Sequence, residues 1–489
     1  MRTRNGNSTA AVESATSTVP PLSGTPALET GKFAAILVAA YAFIVESRIL
    51  DLSSIASLHI PLVIFILLAL FTLGILVQRG IHGFLDNKAS FCFTALTAWV
   101  VLSYPLSNWR AFSFPYVETT IQGLVIFAAV VQIASTAKNW RRIAAAFGYA
   151  TLAASILSLF ISKSVSGRMT IGSGTLADPN EFALALVIGL PFLFYTAAVS
   201  KGIKRIALYA CSALVLYSFA RAGSRGGLLA LLAMLLVLFV LGKASQKLVM
   251  IVACVVGLAA GAVLLPGYIR DRFTTFFSVH NEQVSGAVEN RLDSDVASTE
   301  ARKQILIQSL QITAEHPLLG VGPGVFPWVA ADKRIKEFGS SGWAIVTHNT
   351  YTQYSSETGV LGFFFWTGTL YFCIKYTLRV YRSMSGVDDK LATAARDTLA
   401  AMIALAVGSC FLSLAYGLKI PVLLGLTVAL RNIAEARRAN PQVLENTSAP
   451  LVVDVAAARP AVSGAAASGP LPPRTPRRAD LSGRPRNRY

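Results

Sequence analysis

Apolar positions in this chain come in long runs, and the polar positions between them are few, charged and turn-like. Such runs fit neither the three-to-four spacing of a one-sided helix nor the alternation of a half-buried strand. A helix that crosses a bilayer needs about 20 mainly apolar residues, with a range of roughly 17–25. Spans are read at 32–47, 60–78, 91–106, 118–136, 143–161, 181–199, 204–220, 226–242, 248–265, 355–374, 398–416 and 418–434. The pattern predicts an all-α integral membrane protein of about 12 transmembrane helices, with one large helical loop before the last three. The chain then divides into a leader (1–31), nine spans (32–265), the loop (266–354), three spans (355–434) and a tail (435–489). Gly257 and Gly261 have a small-xxx-small spacing, which permits close helix packing.

Composition agrees with this pattern. Of the 489 residues, 54% are hydrophobic and 14% charged, against roughly a quarter charged in soluble domains. This excludes a soluble globular protein, a disulfide-stapled secreted protein and a wholly disordered chain. The leader is rich in Ser, Thr, Ala and Pro and reads as disordered; no cleavage site follows it, so no signal peptide is read. The tail is basic, Pro- and Ala-rich, and reads as a low-complexity segment at the membrane surface. The cysteines all fall in apolar runs, without metal-site spacing.

Charge sets the orientation. With the N-terminus inside, the inner loops carry 15 Lys and Arg and the short outer loops carry 7. Cytoplasmic loops are enriched in these residues. The net charge of +18 therefore reads as topology and lipid contact rather than nucleic-acid binding. Both termini fall in the cytoplasm and residues 266–354 outside. Within that loop, residues 299–315 read as a helix capped by Ser298 or Thr299 and ended by Pro317, with Leu306, Ile307, Leu310 and Ala314 on one side.

Three outer segments carry the unusual residues. In the first, Arg168 to Glu181, Asp178 reads as an N-cap, Pro179 as the first helical residue and Glu181 as the reciprocal partner of a capping box. An outward helix N-terminus is also a ready anion site. The second is Arg221-Ala-Gly-Ser224-Arg225-Gly226-Gly227. Arginine near membrane depth is costly and is usually paired or functional. Arg225 is the first candidate for an anion ligand, because its planar fork matches phosphate oxygens; the bland alternative is snorkelling to headgroups. The third holds Arg302, expected in the first turn of the loop helix, then His316-Pro317-Leu-Leu-Gly320-Val-Gly322-Pro-Gly324 and Thr347-His348-Asn349-Thr-Tyr351, followed by Glu357 and Gly359. The glycines suit a chain reversal or, alternatively, a phosphate-binding nest. His348 lies at the outer membrane edge and suits a general base near neutral pH, or else a helix cap. Arginines, a histidine and helix N-termini on one face fit a lipid-anchored diphosphate, with a hydroxyl activated beside it.

At these residues the chain resembles the O-antigen ligase and polymerase-related superfamily. The motifs are Gly-Thr-Leu-Ala-Asp178-Pro179-Asn180-Glu181, Ser224-Arg225-Gly226-Gly227, Arg302, His316 to Gly324, and His348-Asn349-Thr-Tyr with Glu357-Thr-Gly359. The resemblance spans roughly residues 165–375. It implies a GT-C-like helical fold in the bacterial inner membrane and glycosyl transfer at the periplasmic face from an undecaprenyl-diphosphate-linked glycan. The acceptor would be lipid A-core or a growing glycan, and no metal or cofactor would be needed. Carried over by motif, Arg225 and Arg302 contact the diphosphate and His348 activates the acceptor hydroxyl. Arg168, Asp178, Asn180, Arg221, Arg272, Asn349 and Glu357 are further candidates for substrate contact. A lipid-linked glycan flippase and a non-catalytic envelope scaffold are the alternatives. A flippase should carry ionisable residues in mid-span, whereas the unusual residues here gather on one face.

Overall fold

A computed structural model describes residues 30–52, 59–80, 82–165, 167–171, 174–267, 269–270, 286–339 and 344–439. Residues 1–29, the chain beyond Ala439, and the candidate Arg272 lie outside the described residues. The helices in chain order are α1 (Thr30–Ser47), α2 (Ile60–Arg79), the short α3 (His82–Leu85), α4 (Lys88–Ser103), α5 (Arg110–Ile133) and α6 (Ala137–Ile161). They continue as α7 (Pro179–Val199), α8 (Gly202–Ala222), α9 (Arg225–Leu241), α10 (Ala244–Leu264), α11 (Gly286–Glu315), α12 (Phe326–Phe338), α13 (Thr350–Met384), α14 (Asp389–Gly408) and α15 (Lys419–Ala439). Several begin at residues that can hold a free backbone N–H. Asn87, Thr136, Asp178, Ser224, Asn349 and Asp388 each accept from the first turn of the helix they precede.

Eight of these helices are long and apolar enough to cross a membrane, and α9, at 17 residues, is a shorter apolar helix. The chain is an all-α, multi-pass membrane protein. The apolar α7 is buried along most of its length, packed against α6, α8, α9 and α14. A helix apolar all round belongs in such a position.

Two ends of the bundle are distinct. At one, ion pairs join Lys243 to Asp389 (2.9 Å), Arg396 to Asp397 (2.8 Å), and Arg437 to Asp388. At the other, the start of α13 meets the segment after α14, where the Thr350 N–H donates to the Ser409 carbonyl at 2.8 Å. The end of α8 meets the start of α7 there too, bridged by Arg168.

Several expectations change. The span read at 398–416 is the helix Asp389–Gly408, followed by a non-helical link. The hydropathy pattern excludes Arg396 and Asp397, but their ion pair, with Gln246 on Arg396 at 2.7 Å, lets Asp397 enter the bundle at 1% exposure. The last helix runs to Ala439, beyond the expected end at 434. The loop helix begins at Gly286, not near Ser298 or Thr299, so Arg302 stands in mid-helix, away from the N-terminus of its own helix. Its buried side is Ile305, Ser309 and Ile312, while Leu306, Ile307 and Leu310 are exposed. Steps of four and three align the first set on one face, and Ser309 is buried at no apolar partner's expense because its hydroxyl donates to the Leu306 carbonyl at 2.7 Å. Gly257 and Gly261 do not mediate packing between helices: α10 lies at the periphery, with no buried residues. An antiparallel hairpin, β1 (Ser162–Val165) with β2 (Arg168–Ile171), joins the end of α6 to α7.

Candidate functional site

The helices α11 and α12 and the glycine-rich turn between them form a small core of their own. It contains Ile305, Ile312, Val321, Val325, Phe326 and Ala330. Trp328 packs edge-on against Trp109 and Phe112 at the start of α5, each with centroids 5.6 Å away. This seats the loop on the end of the bundle where α13 begins.

The turn itself docks on α13. The Val321 N–H donates to the Ser356 carbonyl and the Gly322 N–H to the Glu357 carbonyl, both at 2.9 Å, and the Val360 N–H donates to the Pro317 carbonyl at 2.8 Å. Those α13 carbonyls are free because the helix breaks at Gly359, whose φ of 76° and ψ of −177° are non-helical. A Cβ at Gly359 would overlap the Leu318 carbonyl, and one at Gly320 the Glu357 backbone. The glycines thus permit backbone-to-backbone contact at a helix break. Here they make a chain reversal, and the Gly324 N–H, which a nest would aim at an anion, is taken by the Glu357 carboxylate at 2.9 Å. The same carboxylate oxygen accepts from the Tyr416 hydroxyl at 2.6 Å, and Glu357 is 1% exposed.

His348 stands immediately before α13. Its φ is 50°, in the left-handed region that non-glycine residues seldom occupy. The N-cap is its neighbour Asn349, whose side chain accepts from the N–H groups of Tyr351 (2.9 Å) and Thr352 (3.1 Å). His348 is half-buried. Burial first, and then the Arg302 guanidinium, pull its imidazole below the usual histidine value, while the Asp178 carboxylate opposes them. Three chain segments therefore bear on one imidazole: α11 through Arg302, the start of α7 through Asp178, and the start of α13.

Arg225 opens α9, where Ser224 caps the helix by accepting from the Gly227 N–H at 3.1 Å. A Cβ on Gly226 would sit 2.8 Å from Phe411, and one on Gly227 3.2 Å from Ala183. The start of α9 thus lies against both the start of α7 and the segment after α14 that holds Thr350. Arg221 donates to the Tyr217 hydroxyl at 3.1 Å. Arg168 donates to the Ala222 carbonyl at 2.9 Å and to the Asn180 side chain at 2.7 Å, which gives both residues bracing partners. Asp178 caps α7, accepting from Asn180 (2.7 Å) and Glu181 (3.1 Å). Glu181 does not reciprocate as a capping-box partner; its carboxylate has Lys419 as its opposite charge.

Lys419 is the residue that the sequence pattern passes over, since it counts there only as one outer-loop cation. Its ammonium is buried with no hydrogen-bond acceptor among the described residues, and it acts electrostatically on both Glu181 and Glu46. Its position after an apolar link, at the start of a helix, is the signal that the sequence offers. Among the described residues no group of three or more His, Cys, Asp or Glu is arranged to hold a metal ion.

Residues 210–367 match the family model described as O-antigen ligase. The stretch runs from α8 into α13 and contains Arg221, Arg225, Arg302, His348, Asn349 and Glu357. It supports the O-antigen ligase and polymerase-related superfamily, and with it a glycosyltransferase-like role in a multi-pass membrane protein. A search of curated proteins found no match.

Proposed function

We propose that the chain transfers a glycan from an undecaprenyl-diphosphate-linked donor to an acceptor hydroxyl, at the periplasmic face of the bacterial inner membrane. The observation that carries this reading is the setting of His348: left-handed and half-buried in a segment that matches the O-antigen ligase family, and acted on by Arg302 of that segment and by Asp178 from outside it. A lowered basicity keeps the imidazole neutral near pH 7, ready to accept a proton. The acceptor oxygen attacks the anomeric carbon of the donor sugar as its proton passes to His348. The carbon–oxygen bond to the diphosphate breaks, and the leaving group departs with the bonding electrons. Arg225 and Arg302 stabilise the charge that develops on it. Asp178 favours the imidazolium formed in the same step. Asn349 and Glu357 hold the start of α13 in place, and Arg168 with Asn180 brace the start of α7.

The test is reconstitution of the full chain in liposomes with a short undecaprenyl-diphosphate-linked oligosaccharide and a candidate lipid acceptor. The expected product is a longer glycan still on undecaprenyl diphosphate, as a polymerase makes, or one glycan moved to the second lipid, as a ligase makes. His348→Ala should lower either rate by roughly 10²–10⁴-fold, the usual worth of a positioned general base. Equal product from the variant would remove His348 from the chemistry.

A further inference from the structure

The bundle end that holds the Asp388–Arg437 pair carries a second arrangement of arginines. A notch between α13 and α15 is lined by Arg379, Arg431 and Arg438, with Val380 and Ala434 as its apolar floor. The arginines are not equivalent. Arg431 lies over the Tyr376 ring, 4.8 Å from its centroid, and pairs with Glu435 at 3.0 Å. Its charge is already met by the notch's carboxylate, so it acts as a fixed wall. Arg379 and Arg438 are exposed at the mouth, and neither has a hydrogen-bond or ion-pair partner among the described residues. Two guanidinium groups from different helices, facing one small recess, are matched by an anion with several oxygens.

Depth argues for the source of that anion. The apolar run of α13 read from the sequence ends at residue 374, and Arg379 follows about 7.5 Å further along the helix axis. On α15 the span read from the sequence ends at residue 434, and Arg438 follows about 6 Å further along the helix axis. The notch therefore sits where hydrocarbon meets headgroups, and its apolar floor suits the part of a lipid next to its phosphate. Basic recesses between membrane helices bind anionic headgroups by this combination. We infer that the notch between α13 and α15 binds the phosphate of an anionic phospholipid, through Arg379 and Arg438. This site is separate from His348 and does not depend on the glycosyl-transfer reading.

The experiment places the full chain in nanodiscs of phosphatidylcholine with a minor fraction of phosphatidylglycerol, then counts retained lipid by native mass spectrometry. The wild type should retain phosphatidylglycerol in preference. A basic residue near an anionic surface is worth about fivefold, so the Arg379→Gln/Arg438→Gln variant should lose that preference by roughly tenfold or more. Arg382→Gln, an exposed arginine on α13 that does not line the notch, should keep it. Unchanged retention in the double variant would overturn the site. If millimolar inorganic phosphate displaces the retained lipid, the notch is a soluble-phosphate site and the lipid assignment falls. Melting in pure phosphatidylcholine separates lost binding from lost folding. Should the double variant melt early, Arg438→Gln alone, at the exposed end of α15, carries the same comparison with a loss of about fivefold.

Discussion

At the scale of the residue, His348 shows what a sequence can and cannot carry. A histidine beside Asn349 before a span reads as a candidate base or cap, and Arg225 as a candidate anion ligand. The left-handed φ, the half-burial and the approach of Arg302 and Asp178 were not, because they come from elements far apart in the chain. Asn349, not His348, caps the helix, which leaves the imidazole outside the capping hydrogen bonds. The shift has a testable sign. Diethylpyrocarbonate attacks neutral imidazole, so modification of His348, followed by mass spectrometry against pH, should have its midpoint below the usual histidine value of about 6.5. Arg302→Gln removes a nearby positive charge and should move the midpoint up. Asp178→Asn, which keeps a capping side chain, should move it down. The acid limb of the transfer rate should follow the same order. A midpoint that ignores both substitutions would separate these residues from His348.

At the scale of the element, α13 concentrates the cooperation between segments. The glycine run at 320–324 was legible as a reversal. Its partner, the break at Gly359, was not, since it depends on backbone pairing between stretches that share no sequence pattern. Carbonyls released by a break within a membrane helix need other donors, and Val321 and Gly322 supply them. Gly359→Ala should therefore destabilise the protein by about 3 kcal/mol or more, the sum of an unfavourable φ and overlap with the Leu318 carbonyl. Gly339→Ala, also at positive φ (63°) but with open space around it, should cost only about 1 kcal/mol. Thermal unfolding in detergent measures both. Glu357→Ala would strand the Gly324 N–H and Tyr416 hydroxyl, at a cost of about 2–5 kcal/mol. Glu357→Gln retains an acceptor and should cost less than half of that. Equal losses would mean that the charge, not the hydrogen bonds, holds the turn.

At the scale of the whole molecule, the apolar runs located most helices, because burial in lipid and burial in the bundle both select apolar residues. They misplaced α14, where an internal ion pair lets charge enter the bundle, and they gave no sign of α12, whose Asp332, Lys333, Arg334 and Lys336 resemble a solvated loop. The hairpin at 162–171 is too short to register against its neighbours. Loop charge predicts which end faces out. The exposed Cys410 follows α14 at the His348 end, and the link at Lys201 lies between α7 and α8 at the other. An impermeant maleimide should label Cys410 in intact cells and lose that label in Cys410→Ser. A cysteine placed at Lys201 should react only after permeabilisation. The reverse pattern would invert the orientation.

The 17 residues of α9 carry a consequence for the lipid around it. A helix of that length is about 25 Å long, against a hydrocarbon thickness of about 30 Å. A bilayer meets a span this short by thinning beside it, and in the orientation that loop charge predicts the outer pinch falls at Arg225. A diphosphate riding in the outer leaflet would then sink toward the guanidinium without leaving its own layer. Acyl-chain length becomes a control on turnover: membranes built from longer chains resist the pinch and should slow transfer, while thinner ones favour it.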